Sequence, residues 1–427
     1  MQIIKVEGGH TLSGEVYVEG AKNSVLKLMA ATIMAPGVYR ISRVPNISDV
    51  AVMSNVLREL GAQVDRIDHQ LIIDTSNADG YSTPYELVKK MRASIAVLGP
   101  LLARHGKARV SMPGGCQIGE RKLDLHFLSL EHLGTNFEFE HGVVKASAPN
   151  GLHAASIYLD FASVGATENI MMAAVVAKGT TIIDNAAREP EIVDLANFLN
   201  KMGAKITGAG SPVITIEGVS QESLHATDHE TVGDRIEAGT FVVAGALCGD
   251  KVKVRGFKPE HLGLALQKIR QMGVSIEYLE DGVIVSKPEH LNAIDIQTLP
   301  YPGFPTDMQA QLMVMTSLAQ GNSIITENVF ENRFMFAGEL IRMGANIRVD
   351  GHHAISQGVT KLSGAPVAST DLRGGAALVL AGLVADGTTM ISGIEHINRG
   401  YEDFVGKLNQ LGAKLSLVEQ EAALDEE

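Results

Sequence analysis

A unit of about 70 residues recurs six times along this chain, and no other feature restricts its possible folds as strongly. The first sign is a helix-ending signature: ELGAQV at Gly61, HLGTNF at Gly134, KMGAKI at Gly203, QMGVSI at Gly273, RMGANI at Gly344 and QLGAKL at Gly412, spaced 73, 69, 70, 71 and 68 residues apart. Each glycine follows an apolar residue and precedes an alternating segment. That is the pattern of a helix whose C′ position needs positive φ, followed by a strand. A second signature interleaves with the first: PGVYRI at Gly37, HGKARV at Gly106, KGTTII at Gly179, CGDKVKV at Gly249, QGNSII at Gly321 and DGTTMI at Gly387. A small-residue apolar helix precedes each of these, such as MMAAVVA or AALVLAGLVA, and a strand follows. The unit therefore reads strand–helix–strand–helix–strand–strand.

The first helix of each unit is apolar on every side and must be buried. The second, such as EIVDLANFLNKM, is amphipathic and can cover the outside. Six such units in 427 residues are too many for one core and too regular for unrelated domains, so two α/β domains of three units each are expected.

Composition excludes several classes of function. Lys+Arg 36 against Asp+Glu 49 gives a net charge of −13, which disfavours a general nucleic-acid binder; any anion site must be local. Two cysteines, Cys116 and Cys248, cannot build a disulfide framework or a Cys-based zinc site alone. The start, MQIIKVEGGHT, lacks the basic and apolar regions of a signal peptide. The longest apolar run, AALVLAGLVA at 376–385, is about half a membrane span. A soluble cytoplasmic protein is expected, with no membrane or nucleic-acid partner. No GxxxxGK[ST], HExxH, CxxC or GxGxxG pattern occurs, so no metal and no cofactor are implied.

Fourteen residues before each glycine of the second signature stand Asn23, Arg92, Gly165, Arg235, Asp307 and Arg373, with Lys22 one step earlier in its copy. This position opens the buried helix of every unit. A charge there is costly unless it faces a cleft or a partner, and helix N-termini favour anions. Several cationic helix mouths could build one anion site in an acidic protein. Asp307, the anion of the set, reads either as an N-cap in PTDM or as a general base held near cations. The turn before the second helix repeats the bias at Arg121, Arg333 and Arg399, and His126 and His396 are further candidates for carrying protons.

Copy two alone expands that turn, into PGGCQIGER at 113–121. Its three glycines suit a lid, and Cys116 sits inside it, five residues before Arg121. A thiol beside guanidinium groups can ionise or deliver a proton. Cys248, in FVVAGALCGD, reads as a small core residue.

The segments EGAKNS at 19–24, MRAS at 91–94, PGGCQIGER, ASVGATEN at 162–169, AAREPEIVDLANFL at 186–199, FPTDMQAQ at 304–311, FENRFM at 330–335, TDLRGGAALVLAG at 370–382 and HINRGYED at 396–403 together resemble the UDP-N-acetylglucosamine 1-carboxyvinyltransferase family of enolpyruvyl transferases. The resemblance spans nearly the whole chain. It implies a two-domain inside-out α/β barrel of six βαβαββ units, three per domain, with one domain over 22–232 and the other combining 1–21 with 233–427. It also implies transfer of the enolpyruvyl group of phosphoenolpyruvate to the 3-hydroxyl of UDP-N-acetylglucosamine with release of phosphate. That is the first committed step of peptidoglycan precursor synthesis, and so would serve cell-wall biogenesis, cell shape and cell division.

Residue by residue, the family implies that Lys22, Arg121 and Arg399 hold the phosphate or carboxylate of phosphoenolpyruvate, with Arg92 and Arg373 nearby and Arg333 on the same substrate side. Asn23 and Asp307 would meet the sugar, and Asp307 would take the 3-hydroxyl proton. Cys116 would protonate the C3 methylene and could form a covalent phospholactoyl adduct. Arg121, Lys122, Leu123, Asp124, Leu125 and His126, with Ser163, Val164 and Val329, would touch the uridine diphosphate. Domain closure on the nucleotide sugar and folding of the 112–121 loop over the site are expected with this reading. Lys122 stands where many members have Pro, and Phe161 where some carry Lys. Cys116 is retained, so inhibition by fosfomycin is expected. The nearest rival is 5-enolpyruvylshikimate-3-phosphate synthase, which shares phosphoenolpyruvate. A rival of another class is a silent paralogue that binds UDP-N-acetylglucosamine without turnover.

Overall fold

The computed structural model describes residues 2–88, 92–112 and 123–419. Six four-stranded sheets form, three in each of two compact units. Within the described residues one unit takes 2–18 and 233–419, and the other lies within 19–232. The third copy shows the shared pattern. Ser156–Tyr158 runs parallel to Thr180–Asp184 across the helix Val164–Ala174, and the hairpin of Lys205–Thr207 and Val213–Glu217 then adds antiparallel. Strand alternation buries Thr181 and Ile183 and turns Ile182 outward, as a half-buried sheet requires.

The expected order of elements holds in space, but three strands come from distant sequence. Asp228–Glu230 supplies the edge of the first copy's sheet, parallel to Val38–Ser42. Leu12–Tyr17 does the same for the fourth copy, parallel to Gly249–Arg255. Gln2–Glu7 lies between Thr388–Ser392 and Lys414–Glu419, completing the sixth copy antiparallel to both. The chain thus gives two strands to one unit, builds the other, and returns.

The helix-ending glycines behave as their spacing implies. Gly61, Gly134, Gly203, Gly273, Gly344 and Gly412 all have φ between 93° and 108°. At Gly61 the N–H reaches the Arg58 carbonyl and the Ala62 N–H reaches back to Leu57, a Schellman closure. Gly249 departs from its set. The helix Arg235–Cys248 runs directly into a strand there, and Gly249 has φ −89°. Glycine is required for closeness instead: a Cβ would stand 2.6 Å from the Gly245 carbonyl oxygen.

Three first helices fill the core of each unit. In Arg235–Cys248 every residue but Leu247 is buried, and Gln309–Ser317 is buried throughout. Burying each large apolar side chain, such as Phe241 or Leu312, contributes roughly 1.5–3 kcal/mol. In the other unit Lys22–Ala31, Leu98–His105 and Val164–Ala174 play this part. Each unit is an inside-out α/β barrel, with its helices inside its sheets. Cys248 is core, as its sequence context implies: its thiol points at the Ala244 carbonyl, and burial pushes its pKa up to about 12. Among the described residues no helix is long and apolar enough to cross a membrane.

Candidate functional site

All six residues at the shared repeat position lie in the first two residues of a helical segment. Asn23 is second in Lys22–Ala31, Arg92 opens the turn Arg92–Val97, Gly165 is second in Val164–Ala174, and Arg235 opens its helix. Asp307 is second in the turn Thr306–Met308 that leads into Gln309–Ser317, and Arg373 is second in Leu372–Val384. Caps hold three of these ends open. Ser163 Oγ accepts the Ala166 N–H at 3.3 Å, Asp234 accepts from Ile236 and Glu237, and Asp371 accepts from Arg373 and Gly374.

Asp307 is not a cap. Its Oδ1 accepts from Arg333 Nη2 at 2.8 Å, and its Oδ2 from Arg373 Nη2 at 3.1 Å and Nε at 3.3 Å. Both guanidinium side chains are 4% exposed, against 23% for Asp307. The repeat thus brings Asp307, Arg333 and Arg373 into one cluster, with the carboxylate the most open member. Arg373 lies over the Tyr401 ring, and Tyr401 shares a hydrogen bond with Thr240 at 2.9 Å. Burial works against the Arg373 charge, but Tyr401, Asp307 and Asp234 around it more than compensate and hold its pKa above the ordinary value. Burial also raises the Tyr401 phenol, against the pull of Arg373. Arg373 Nη1 is buried with no hydrogen-bond partner among the described residues. Val329 lies in the segment before Arg333, and its N–H donates to Glu327. Arg399, half-buried, lies between Ile394–Ile397 and Phe404–Gln410.

In the other unit, Lys22 pairs with Asp49 at 3.0 Å, and both are largely buried. The expected phosphate ligand therefore already has an anionic neighbour, from the helix Ser48–Glu59. Asn23 is half-buried, and its carbonyl accepts from Lys27 Nζ. Lys27 also pairs with Glu168 at 3.0 Å. Burial raises the Glu168 carboxyl to about 7, against the pull of Lys27 and with the help of Glu191 and Glu189.

Leu123 is buried, Leu125 half-buried, and Asp124 exposed at the start of Asp124–His132. His126 is buried with Nδ1 3.1 Å from Asn169 Nδ2, and its ring sits where a Cβ on Gly165 would meet it at 3.0 Å. Asn169 thus engages one of the two ring nitrogens of His126. Ser163 and Val164, both half-buried, open the adjacent helix. Cys116, Arg121 and Lys122 lie outside the described residues, as does the side chain of Arg92. Among the described residues, no group of three or more His, Cys, Asp or Glu is placed to hold a metal ion.

The sequence reading passed over Asp49, Thr306 and Glu327. Asp49 and Glu327 stand outside the repeat position that picked out the cations, and Thr306 shows only as the neighbour of Asp307.

The family model for EPSP synthase (3-phosphoshikimate 1-carboxyvinyltransferase) matches residues 6–408. The chain belongs to the EPSP synthase family. Within it, a Synechocystis protein named UDP-N-acetylglucosamine 1-carboxyvinyltransferase is 50% identical over 425 residues, covering 99% of this chain and 97% of that one. A Staphylococcus aureus protein, UDP-N-acetylglucosamine 1-carboxyvinyltransferase 1, is 50% identical over 421 residues, covering 98% and 100%. Among solved structures, the enolpyruvyl transferase NikO from Streptomyces tendae superposes with TM-score 0.88 at 28% identity, over 97% of this chain and 98% of its own. EPSP synthase from Acinetobacter baumannii shares the fold at TM-score 0.72 and 18% identity, over 98% of this chain and 100% of its own.

Proposed function

We propose that the chain transfers the enolpyruvyl group of phosphoenolpyruvate to the 3-hydroxyl of UDP-N-acetylglucosamine. The observation that carries this reading is 50% identity over 99% of the chain to a relative of that name. The reaction is an addition followed by an elimination. The 3-hydroxyl oxygen bonds to C2 of phosphoenolpyruvate while its proton passes to Asp307 and C3 gains a proton from Cys116. The tetrahedral ketal phosphate then returns a C3 proton to the Cys116 thiolate as its C2–O bond to phosphate breaks, and the departing phosphate takes up the proton held by Asp307. Two anionic substrates need cations at close range, and Lys22, Arg92, Arg121, Arg373 and Arg399 supply them in this reading. Asn23 holds the sugar, and residues 121–126 with Ser163, Val164 and Val329 hold the nucleotide.

The Asp307–Arg333–Arg373 cluster supports this chemistry. Both oxygens of Asp307 are engaged, so it takes the hydroxyl proton as one guanidinium contact gives way to the sugar. The product feeds peptidoglycan precursor synthesis. Incubation with both substrates, followed by mass spectrometry, should show UDP-N-acetylglucosamine heavier by one enolpyruvyl group and an equal amount of phosphate. Tight binding of the nucleotide sugar without that product would instead favour the silent-paralogue reading.

A further inference from the structure

Glu327 is a buried carboxylate, 2% exposed, at the end of the strand Asn322–Thr326 and outside the charged cluster. A charge in that position is costly unless its acceptor sites are filled, and here each oxygen is engaged. Oε1 accepts from Thr298 Oγ1 at 2.8 Å, Val329 N at 2.8 Å and Phe330 N at 3.1 Å. Oε2 accepts from Thr306 Oγ1 at 2.9 Å. Thr298 Oγ1 in turn accepts the Asn328 N–H at 2.9 Å, so the turn between the strand and Arg333 is tied at three successive amides.

The Thr306 hydroxyl is the link to Asp307. It has one proton, and Glu327 takes it; its lone pair accepts from Arg333 Nη1 at 3.3 Å. Arg333 Nη2 then reaches Asp307 Oδ1, and Asp307 follows Thr306 in the chain. Thr306, Arg333 and Asp307 form a closed ring of two hydrogen bonds and one peptide bond, and Glu327 holds that ring from outside through the Thr306 hydroxyl. With its proton committed to Glu327 Oε2, the hydroxyl presents a lone pair to the guanidinium.

We infer that Glu327 is a positioning residue for the transferase reaction, acting through Thr306 to hold Arg333 and the Asp307 carboxylate in register. The inference rests on the proposed transferase reading. Displacing a reacting group by about 1 Å can cost on the order of 10²-fold in rate. Thr306→Val, which keeps the shape and removes the hydroxyl, should therefore lower kcat by about 10- to 100-fold. The KM for phosphoenolpyruvate should move less than about threefold, because this network does not supply its expected ligands, Lys22, Arg121 and Arg399. Thr306→Ser restores the hydroxyl and should restore most of kcat. Glu327→Gln should resemble Thr306→Val, and the double variant should be little worse than either single one, since both remove the same contact at the Thr306 hydroxyl.

Steady-state kinetics with phosphoenolpyruvate and UDP-N-acetylglucosamine, with circular dichroism on each variant, provide the test. Folded Thr306→Val within about threefold of wild-type kcat would overturn the inference, as would Thr306→Ser as impaired as Thr306→Val. If Glu327→Gln does not fold, the two Thr306 variants decide alone. Wild-type protein inactive with these substrates would overturn the transferase reading itself; active wild type with indifferent Thr306 variants would overturn only the role of Glu327.

Discussion

At the scale of single residues, Asp307 joins chemistry to stability. It neutralises two guanidinium groups that are 4% exposed, so its removal acts on the fold as well as on turnover. Asp307→Ala should cost about 3 kcal/mol or more in urea unfolding, because it takes the directly bonded carboxylate from two buried cations. Asp307→Asn keeps the volume and one acceptor, and is the cleaner kinetic probe. It should lower kcat by roughly 10²–10⁴-fold, and so should Cys116→Ser, with folding retained by circular dichroism. Loss of less than about tenfold in Asp307→Asn would count against its role as the base.

Glu168 gives a second residue-scale prediction. Its folded pKa, about 7, lies above the 4.5 of an ordinary glutamate, so the folded state binds the extra proton between those pH values. Its contribution to stability is fully present below about pH 4.5 and is lost as pH rises through 7, on the order of 3 kcal/mol over the window. Glu168→Gln should flatten the fall in unfolding free energy between pH 5 and pH 8; an unchanged slope would show that other groups cause it. In sequence, the repeat position singles out Asp307 and the expanded loop singles out Cys116 as candidates. Asp49 and Glu327 gain their meaning from packing against Lys22 and Thr306, which no local pattern encodes.

At the scale of elements, helix ends were the most legible feature. Glycine at C′ and Ser or Asp at the N-cap are local requirements of the backbone, and Gly61, Ser163 and Asp371 meet them where the motifs stand. Closeness between helices was not legible. Gly99 lies where a Cβ would come within 2.5 Å of the Asn169 carbonyl oxygen, fixing how Leu98–His105 approaches Val164–Ala174. Gly99→Ala should lower stability by about 1–3 kcal/mol through forced backbone shifts. Gly338→Ala, on the exposed side of Ala337–Arg342 with nothing within 4 Å of its Cβ position, should be neutral or raise stability by up to about 1 kcal/mol. Thermal melts of the two variants should therefore shift in different directions or by very different amounts; equal losses would contradict the account of the packing.

At the scale of the whole molecule, the repeat conveyed the count of six and the α/β class. It did not convey which strands complete which sheet. Asp228–Glu230, Leu12–Tyr17 and Gln2–Glu7 join sheets far from their own sequence neighbours, because hydrogen bonding between strand edges ignores chain separation. The repeat position singled out Asn23, Asp307 and Arg373 as candidates, and it gave no signal for residues that copy-specific segments supply. The family match alone leaves open which hydroxyl accepts the enolpyruvyl group, since its model carries the name of the shikimate enzyme while the relatives at 50% identity carry that of the nucleotide-sugar enzyme. The most direct measurement is phosphate release from phosphoenolpyruvate with each acceptor offered separately. Release with UDP-N-acetylglucosamine and none above background with shikimate 3-phosphate is the predicted result, and release with shikimate 3-phosphate alone would contradict it.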